Sequence, residues 1–324
     1  MKTNRFIAIL LVVFLAIFSQ TGTAFAQGYP SKAIKLVAPF GAGGSTDSSA
    51  RIFARYLEKY LGTNVAVVNI KGAAGTIGSM QVYKSTPDGY TLLWHHLTLL
   101  TSYHTGVGKF TWDSLTPVCQ GVKFYMAITV HKDSPWKTIH DLIKDAQARP
   151  GKIKWGVNIG AGLHFIAIGL EVATDTKFHY VAGGGDRSQT TALLGKHIDV
   201  SSPSDTVVLQ YVRTGQLRVL ATTGEKRLPT LPDVPTLKEE GIDYTFYFEP
   251  SLFGPPGLPA EVIRKLNNAV QKVMQDPEAA KDFRKIGMYP NYLEHNAFKK
   301  RLLKLDAQFY MFARKGGLIP SRIK

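Results

Sequence analysis

Short apolar runs alternate with amphipathic segments from residue 34 onward, and several runs end in a glycine-rich turn. The run at 34–38 leads through such a turn into a segment with apolar residues at helical spacing: Ala50, Phe53, Ala54, Leu57 and Leu61. Residues 65–68 and 91–94 continue the series as two further strands, with a helix between them. Strands and helices joined by short connections predict a mainly parallel sheet flanked by helices.

The pattern restarts in the second half of the chain. An apolar run at residues 124–131 is typical of one long strand that leaves the first unit. We predict helices at 138–148, 163–173, 190–194 and 205–212, and strands at 153–157, 178–181, 197–200 and 217–222. A Pro- and Gly-rich connection then leads to three closing helices, for which Asp276 and Asn296 are the predicted N-caps of the second and third.

Two similar α/β units predict two lobes. We expect the chain to cross between them at about residues 125–131 and 246–254. Residues 27–127 and 252–324 then form lobe 1, with the last helix placed where it can also pack on lobe 2, and residues 128–251 form lobe 2. Two crossings make a hinge with a cleft beside it, and turns at the carboxyl ends of strands point into such clefts.

The first 26 residues have the pattern of a secretory signal peptide. Lys2 and Arg5 precede an apolar run at 6–18 that is too short for a bilayer span, and Ala24-Phe25-Ala26 fits a cleavage site. We therefore predict cleavage after Ala26 and a periplasmic protein, with an uncleaved anchor as the alternative. A single cysteine, Cys119, excludes an internal disulfide and is predicted to be a small buried apolar residue.

The net charge of the chain changes the predicted fold and partners little. The net charge of the 324-residue chain is +15, and removing Lys2 and Arg5 with the leader lowers it by two to +13. The basic residues are scattered along amphipathic helices, without a dense Lys/Arg run interleaved with aromatics, so nucleic acid is not a predicted partner. The charge can still raise the local concentration of small anions.

Motifs of common enzyme classes are missing from the chain. The turn Gly-Ala-Gly-Gly-Ser-Thr at 41–46 lacks the third glycine of a dinucleotide fingerprint and the Gly-Lys of a P-loop. G-x-S-x-G and H-E-x-x-H do not occur, and His95, His96 and His104 lack the spacing of a metal site. We predict no catalytic residues, no metal and no cofactor, although residue counts alone leave a catalytic triad open.

Four glycine-rich turns, at residues 39–47, 71–76, 158–164 and 182–186, carry the candidate chemistry. Each follows a predicted strand, and at least three precede a predicted helix. The first amides of a helix have no intrahelical acceptor and carry partial positive charge, so such turns suit a carboxylate. The alternative is that these glycines only permit tight turns.

Side chains in and near the turns have structural alternatives as well. Ser45 or Thr46 is the predicted N-cap of the first helix, and Asp47 either complements the helix dipole or accepts a hydrogen bond from the ligand. His164 either donates to a ligand oxygen or holds its turn. The aromatic run at 244–248 is predicted to be sheet core, with flanking of the cleft as the alternative.

The sequence resembles the extracytoplasmic solute receptors of the tripartite tricarboxylate transporter family, also called Bug receptors. The resemblance rests on these segments, in order: YPSKAIKLVAPFGAGGSTDSSARIFARYL, VVNIKGAAGTIG, TPDGYTLLW, WGVNIGAGLHF, ALLGKHIDV, LPDVPTLKEEGID and GPPGLPAEVIRKLNNAVQKVMQDPE. It implies a two-lobed, Venus-flytrap, type II-like periplasmic binding protein that is monomeric and has no catalytic activity. Such receptors deliver a small carboxylate to a large and a small integral membrane subunit.

The residues predicted to bind the ligand combine the four turns with neighbouring strand ends. In this family the first two turns hold the carboxylate, and those of the other lobe oppose them. The predicted site comprises Phe40, Ala42, Gly43, Gly44, Ser45, Thr46, Asp47, Gly72, Ala73, Ala74, Gly75, Thr76, His95, His96, Asn158, Gly160, Ala161, Gly162, His164, Gly184, Asp186, Ser204 and Asp205.

The chain departs from the family pattern at places where specificity is set. Glu249-Pro250-Ser251 replaces an aromatic-x-Gly pattern, His95-His96 replaces a small Ser/Thr-rich turn, and the turn before Arg187 lacks a proline. The ligand therefore cannot be copied from a relative. Two other functions remain open from the sequence: a ligand sensor of the same fold that presents its closed form to a membrane signalling partner, and an exported hydrolase.

Overall fold

The computed structural model of the chain describes residues 28–319. The predicted leader at 1–26 and its cleavage site lie outside the described residues. Among residues 28–319, every helix falls short of the length and apolarity that a membrane span requires.

Twelve strands and ten α-helices make up the described chain. The strands are β1 Ile34–Ala38, β2 Val65–Asn69, β3 Thr91–His95, β4 Thr116–Tyr125, β5 Ala127–His131, β6 Lys154–Val157, β7 His179–Ala182, β8 Val200–Ser201, β9 Leu217–Thr222, β10 Tyr247–Phe248, β11 Ser251–Gly254 and β12 Tyr289–Leu293. The helices are α1 Ser45–Leu61, α2 Thr76–Tyr83, α3 Thr98–His104, α4 Ile139–Ala148, α5 Gly162–Thr174, α6 Asp186–Leu194, α7 Asp205–Arg213, α8 Ala260–Gln275, α9 Pro277–Lys285 and α10 His295–Lys315.

The first sheet has seven strands in the order β10–β4–β11–β3–β1–β2, with β12 also paired to β4. Strands β1, β2 and β3 are parallel. Strand β11 lies between β3 and β4 and runs antiparallel to both. Because β4 leaves this sheet towards the second one and β11 returns from it, the two must run in opposite directions. The prediction of a mainly parallel sheet is corrected accordingly.

The second sheet has five strands in the order β7–β6–β8–β5–β9. Strand β6 is parallel to β7 and β8, whereas β5 is antiparallel to β8 and β9. This sheet is mixed for the same reason, since β5 enters it from the first sheet and β9 leads back. The α/β class and the presence of two sheets with flanking helices are confirmed.

The strand predicted at 124–131 is divided in two. Strand β4 ends at Tyr125 in the first sheet, and β5 begins at Ala127 in the second. Between them, Met126 forms an isolated bridge with Ser204, and its amide donates to the hydroxyl of Thr223 at 3.1 Å. The chain therefore passes from one sheet to the other at a single residue, which segments next to the second sheet hold in place.

The last helix, α10, connects the two halves of the molecule. It packs on β4 and α3 from one side and on α5 from the other, with Phe298, Leu302 and Phe309 buried. The prediction that Asn296 caps this helix is wrong. The carboxylate of Glu294 is the cap, because it accepts hydrogen bonds from the amides of Asn296 and Ala297.

Two further differences from the predicted elements have local causes. Helix α3 is not amphipathic, since Thr98 to Ser102 are all buried, and so it left no periodic signal. Strand β8 is limited to two residues because the preceding turn, with Lys196 at φ 58°, delays it. Cys119 is buried as predicted, and burial raises the pKa of its thiol.

Candidate functional site

A cavity of about 310 Å³ lies between the two sheets, at the carboxyl ends of β1, β3, β6 and β7. Ten of the predicted site residues line it: Phe40, Ala42, Gly44, Ser45, Thr46, His96, Asn158, Ala161, Gly162 and Asp186. Nine other residues also line it: Gly41, Thr98, Phe124, Met126, Leu163, Gly185, Arg187, Ser188 and Phe248. The cavity is thus built from segments more than 200 residues apart in sequence.

Three helices begin at the wall of this cavity. Helices α1, α5 and α6 follow Gly44, Ala161 and Gly185, which have extended backbones and make no side-chain cap. The prediction that Ser45 or Thr46 caps α1 is wrong, since the cap position is Gly44. Glycine and alanine offer no capping oxygen, so amides of these first turns can serve an external acceptor on the positive side of each helix dipole. The exceptions are the amides of Gly162 and Arg187, which donate to Thr98 and Asp186.

Two threonine hydroxyls add donors to the cavity. Thr98 donates its amide to Nδ1 of His96 at 3.3 Å, so the hydrogen-bond network assigns the ring proton to Nε2, which lies 3.2 Å from Oγ1 of Thr46. Oγ1 of Thr98 accepts from the amide of Gly162 at 3.2 Å. Both hydroxyl oxygens therefore act as acceptors within the protein, and their own protons are left for a ligand.

An aromatic wall, defined here as Phe40, His96, Phe248 and Phe124, forms one side of the cavity. Successive rings are 5.0, 4.7 and 5.0 Å apart between centroids, in stacked, edge-on and stacked arrangements. Burial, and secondarily the neighbouring His95, lowers the pKa of His96 well below its ordinary value. The imidazole is consequently neutral at pH 7, and the wall carries no charge.

Asp47 faces its own turn and does not line the cavity. Its carboxylate accepts from the amide of Gly43 at 2.8 Å, from Nε of Arg51 at 3.1 Å and from the side-chain amide of Asn69 at 2.9 Å. Burial raises the pKa of this carboxyl, but the hydrogen bonds from these partners outweigh burial and hold it below its usual range. Asp47 therefore shapes the first turn, and Gly43 has its amide engaged by it.

Asp186 joins the two walls of the cavity. Its Oδ2 accepts from the hydroxyls of Ser45 at 2.9 Å and Ser204 at 3.0 Å, and its Oδ1 accepts from the amide of Arg187 at 3.0 Å. Beside it, Nε of Arg187 donates to the carbonyl of Gly43 at 2.8 Å. We call Ser45, Asp186 and Ser204 the clasp, because it links the start of α1 to the start of α6.

The turn at 158–164 divides its predicted residues between the cavity and the core. Asn158 lines the cavity, and within residues 28–319 its side-chain amide makes no hydrogen bond. His164 is buried away from the cavity, where its Nδ1 accepts from the amide of Gly160 at 3.3 Å and its ring packs edge-on against Tyr180. Burial lowers the pKa of His164 to about 4, so this ring is a neutral support for the turn.

The second turn lies behind the cavity wall. Gly72, Ala73, Ala74 and Gly75 all have positive φ, an unusual conformation for the two alanines, and Thr76 closes the turn by donating to the carbonyl of Ala73. His95 is fully buried between this turn and Phe40, and burial lowers its pKa to about 3. None of these residues except Phe40 lines the cavity.

The three remaining predicted residues lie at its edge or farther away. Gly184 precedes the start of α6, and Ser204 reaches the cavity only through the clasp. Asp205 lies against Gly287 and accepts a hydrogen bond from the hydroxyl of Thr230. Burial raises the pKa of Asp205 to about 6, even though the hydrogen bond from Thr230 opposes this shift.

Four of the nine lining residues outside the predicted site fall into two kinds. Met126 and Phe248 belong to the predicted crossing segments, Phe124 directly precedes the first of them, and strands that cross a hinge border its cleft. The position of Phe248 agrees with the alternative that the aromatic run flanks the cleft. Thr98 begins the buried helix that left no periodic signal. Among the described residues, no group of three or more His, Cys, Asp or Glu is arranged to hold a metal ion.

A sequence model described as the tripartite tricarboxylate transporter family receptor matches residues 49–308 of this chain. A curated relative, the UPF0065 protein in the gbd 5' region of Cupriavidus necator, is 33% identical over 289 residues, which cover 88% of this chain and 87% of the relative. The match therefore extends over nearly the whole of both proteins.

Solved structures agree with this similarity. The periplasmic binding protein BugD is 30% identical and superimposes with a TM-score of 0.80, covering 90% of this chain and 99% of BugD. The R. palustris protein Rpa4515, solved with adipate, is 25% identical with a TM-score of 0.82 and the same two coverages.

Proposed function

The chain belongs to the tripartite tricarboxylate transporter receptor family, and from that premise we propose that it is a periplasmic protein that captures a small carboxylate in the cavity between its two sheets. One observation carries the proposal: three helices without side-chain caps begin at the wall of one cavity. Their combined amides and dipoles favour a negatively charged group there.

The donors around the cavity match the needs of a carboxylate. The hydroxyls of Thr46 and Thr98 have their oxygens occupied by protein donors, so they are left to donate, and Asn158 adds a side-chain amide. Oxygens of a carboxylate can accept several such hydrogen bonds at once. A neutral ligand would use fewer of these donors and would gain nothing from the dipoles.

We propose that the ligand carboxylate is bound by the hydroxyls of Thr46 and Thr98, the side-chain amide of Asn158, and backbone amides of the first turn of α1, while the amide of Gly162 holds Thr98 in place. The second turn, at 71–76, then acts from behind the wall by supporting Phe40 through His95. Lobe 1 at 27–127 and 252–324 and lobe 2 at 128–251 would close on the ligand. The closed form would be the one recognised by a large and a small membrane subunit, since a receptor must signal that it is loaded.

Native mass spectrometry of the protein purified from its own host, followed by calorimetry, tests this function. We expect a retained small acid that is released chemically intact, and binding of at least one carboxylate in the micromolar range. The corresponding primary amide, which has the same shape but no charge, is the control and should bind at least about tenfold more weakly. Chemical conversion of the retained compound, or equal affinity for acid and amide, would contradict capture of an anion.

A further inference from the structure

We infer that the ligand is a monocarboxylate with an aromatic or similarly bulky apolar body, and that the cavity discriminates against dicarboxylates. This inference rests on the proposed function and concerns the same cavity. It depends on three features: the aromatic wall, the size of the cavity, and the placement of charge around it.

The aromatic wall offers an apolar surface that a short polar acid would leave uncovered. Phe124 and Phe248 are stacked at 5.0 Å and 12° between ring planes, and Phe40 and His96 are stacked at 5.0 Å and 8°. Met126 and Leu163 extend the apolar surface. A planar ring can stack on such a wall or meet it edge-on, and each contact of this kind adds to the free energy gained by removing apolar area from water.

The volume of the cavity suits a ligand larger than a four-carbon acid. An apolar protein cavity of ~150 Å³ accommodates benzene. The cavity here is about 310 Å³, roughly twice that size. A ring with a carboxylate and a further substituent fills such a space, whereas a small polar acid would leave much of the aromatic wall in contact with water.

The charges around the cavity provide for one carboxylate only. Within the described part of the chain, Arg187 is the single lysine or arginine that lines the cavity, and its Nε is engaged by the carbonyl of Gly43. Asp186 lies beside it, and its carboxylate already accepts three hydrogen bonds, from Ser45, Ser204 and the amide of Arg187. A second carboxylate at this end would meet the carboxylate of Asp186, whose negative charge offsets the positive charge of Arg187, and at the other end it would meet uncharged rings.

The orientation of the ligand follows from these features. Thr46 and Thr98 each hydrogen-bond to one edge of the His96 ring, so the donors for the carboxylate lie next to the aromatic wall. A carboxylate held there directs the attached body along the aromatic wall, in which Phe40 stacks on His96. The acid and its ring are thus recognised by adjacent parts of one surface.

Calorimetry with matched probes tests the inference. The set comprises 4-methylbenzoate, 4-methylbenzamide and benzene-1,4-dicarboxylate, which differ at one substituent each, together with hexanoate, adipate and malate. We expect 4-methylbenzoate to bind at least about tenfold more tightly than the aromatic diacid, because the second charge must lose its hydration without a partner. Hexanoate should likewise bind more tightly than adipate.

The outcomes separate this inference from the proposed function. If adipate, malate or the aromatic diacid binds as tightly as the monoacids or more tightly, the inference is overturned and capture of a carboxylate stands. If 4-methylbenzamide binds as tightly as 4-methylbenzoate, both are overturned, because the charge is then not recognised. Failure of all five acids to bind would overturn the inference, and the acid retained by the protein from its own host would then decide the proposed function.

A pair of variants locates the aromatic contact. Phe40 is half-buried, so Phe40→Leu leaves the core intact. This variant should bind 4-methylbenzoate about fivefold more weakly, while its affinity for hexanoate changes much less. Tyr83→Leu removes a ring that is partly exposed and does not line the cavity, and it should change neither affinity. Unchanged 4-methylbenzoate affinity in Phe40→Leu would place the ring away from the aromatic wall and overturn the inference.

Discussion

The carboxylate of Asp186, at the start of α6, accepts a hydrogen bond of 2.9 Å from the hydroxyl of Ser45, at the start of α1. The two residues are 141 positions apart and belong to opposite walls of the cavity. Ser204 donates to the same carboxylate oxygen. The clasp therefore holds the two walls of the cavity together at the helix starts that are proposed to bind the ligand.

Removing the clasp should open the ligand-free protein. A hydrogen bond to a charged group contributes about 1.5–3 kcal/mol, enough to change the ratio of closed to open forms by about tenfold or more. We expect Asp186→Ala to increase the radius of gyration measured by small-angle X-ray scattering. Ser188→Ala is the control, because that hydroxyl bonds only within its own helix start, to the carbonyl of Gly185. Superimposable profiles for wild type and Asp186→Ala would show that the clasp does not hold the lobes together.

Loss of the Thr46 hydroxyl should weaken ligand binding. Thr46→Val keeps the shape but removes the proposed donor to the ligand and leaves Nε2 of His96 without its acceptor. We expect the dissociation constant to rise by about tenfold, in line with a hydrogen bond to a charged acceptor. Thr46→Ser retains the hydroxyl, and its dissociation constant should stay close to that of wild type. Equal affinities of Thr46→Val and Thr46→Ser for the retained acid would remove this hydroxyl from the site.

Asp205 should make the stability of the protein depend on pH. Its pKa is about 6 in the folded protein, above the ordinary value of 3.8. Its contribution to stability is therefore fully present below pH 3.8 and is lost as the pH rises through about 6, because the buried carboxyl must then ionise. Asp205→Asn keeps an acceptor for Thr230 and avoids that cost, which is on the order of 3 kcal/mol.

Urea unfolding at several pH values measures this effect. Asp205→Asn should be more stable than wild type at pH 8, and the difference should vanish at pH 4. Asp243→Asn changes an exposed carboxyl and serves as the control, with little difference at either pH. If the difference in stability between Asp205→Asn and wild type were the same at every pH, titration of Asp205 would be ruled out as its cause.

Arg301 should stabilise the segment that returns between the sheets. Nε of this residue, on α10, contacts the buried carboxylate of Glu249 at 3.1 Å, and its guanidinium also donates to the hydroxyl of Tyr247 at 2.9 Å. Burial raises the pKa of Glu249, and Arg301 opposes that shift. Arg301→Met leaves the carboxylate buried without its partner, which typically costs about 3–5 kcal/mol.

A double-mutant cycle checks this pair. Glu249→Gln combined with Arg301→Met should lower the free energy of unfolding by less than Arg301→Met alone, because the double variant leaves no charge buried. Arg227→Met breaks an exposed pair with Glu239 and should cost no more than about 1 kcal/mol. If Arg301→Met lowers the free energy of unfolding by no more than Arg227→Met does, the contact between α10 and the returning segment contributes little to stability.

Much of the secondary structure could be predicted because its signals are local. The apolar stripe from Ala50 to Leu61 and the Asp276 cap are both found where the sequence places them. The sequence does not distinguish Glu294 from Asn296 as the cap of α10, because both residue types can accept hydrogen bonds from helix amides and only backbone geometry selects between them. Helix α3 was missed because burial on all sides removes the polar half of the pattern.

Sequence by itself determined the family, most helices and strands of the two α/β units, and the turns that open onto helix starts, since such elements depend on contacts between near neighbours in the chain. Tertiary structure alone decided which of those turns share a cavity. It directed Asp47 back towards Gly43, placed Asp205 against Gly287, and brought Phe124 and Phe248 together with His96. These relationships depend on the packing of segments that are distant in the chain, and spacing along the sequence carries no information about the direction in which a side chain points once two sheets meet.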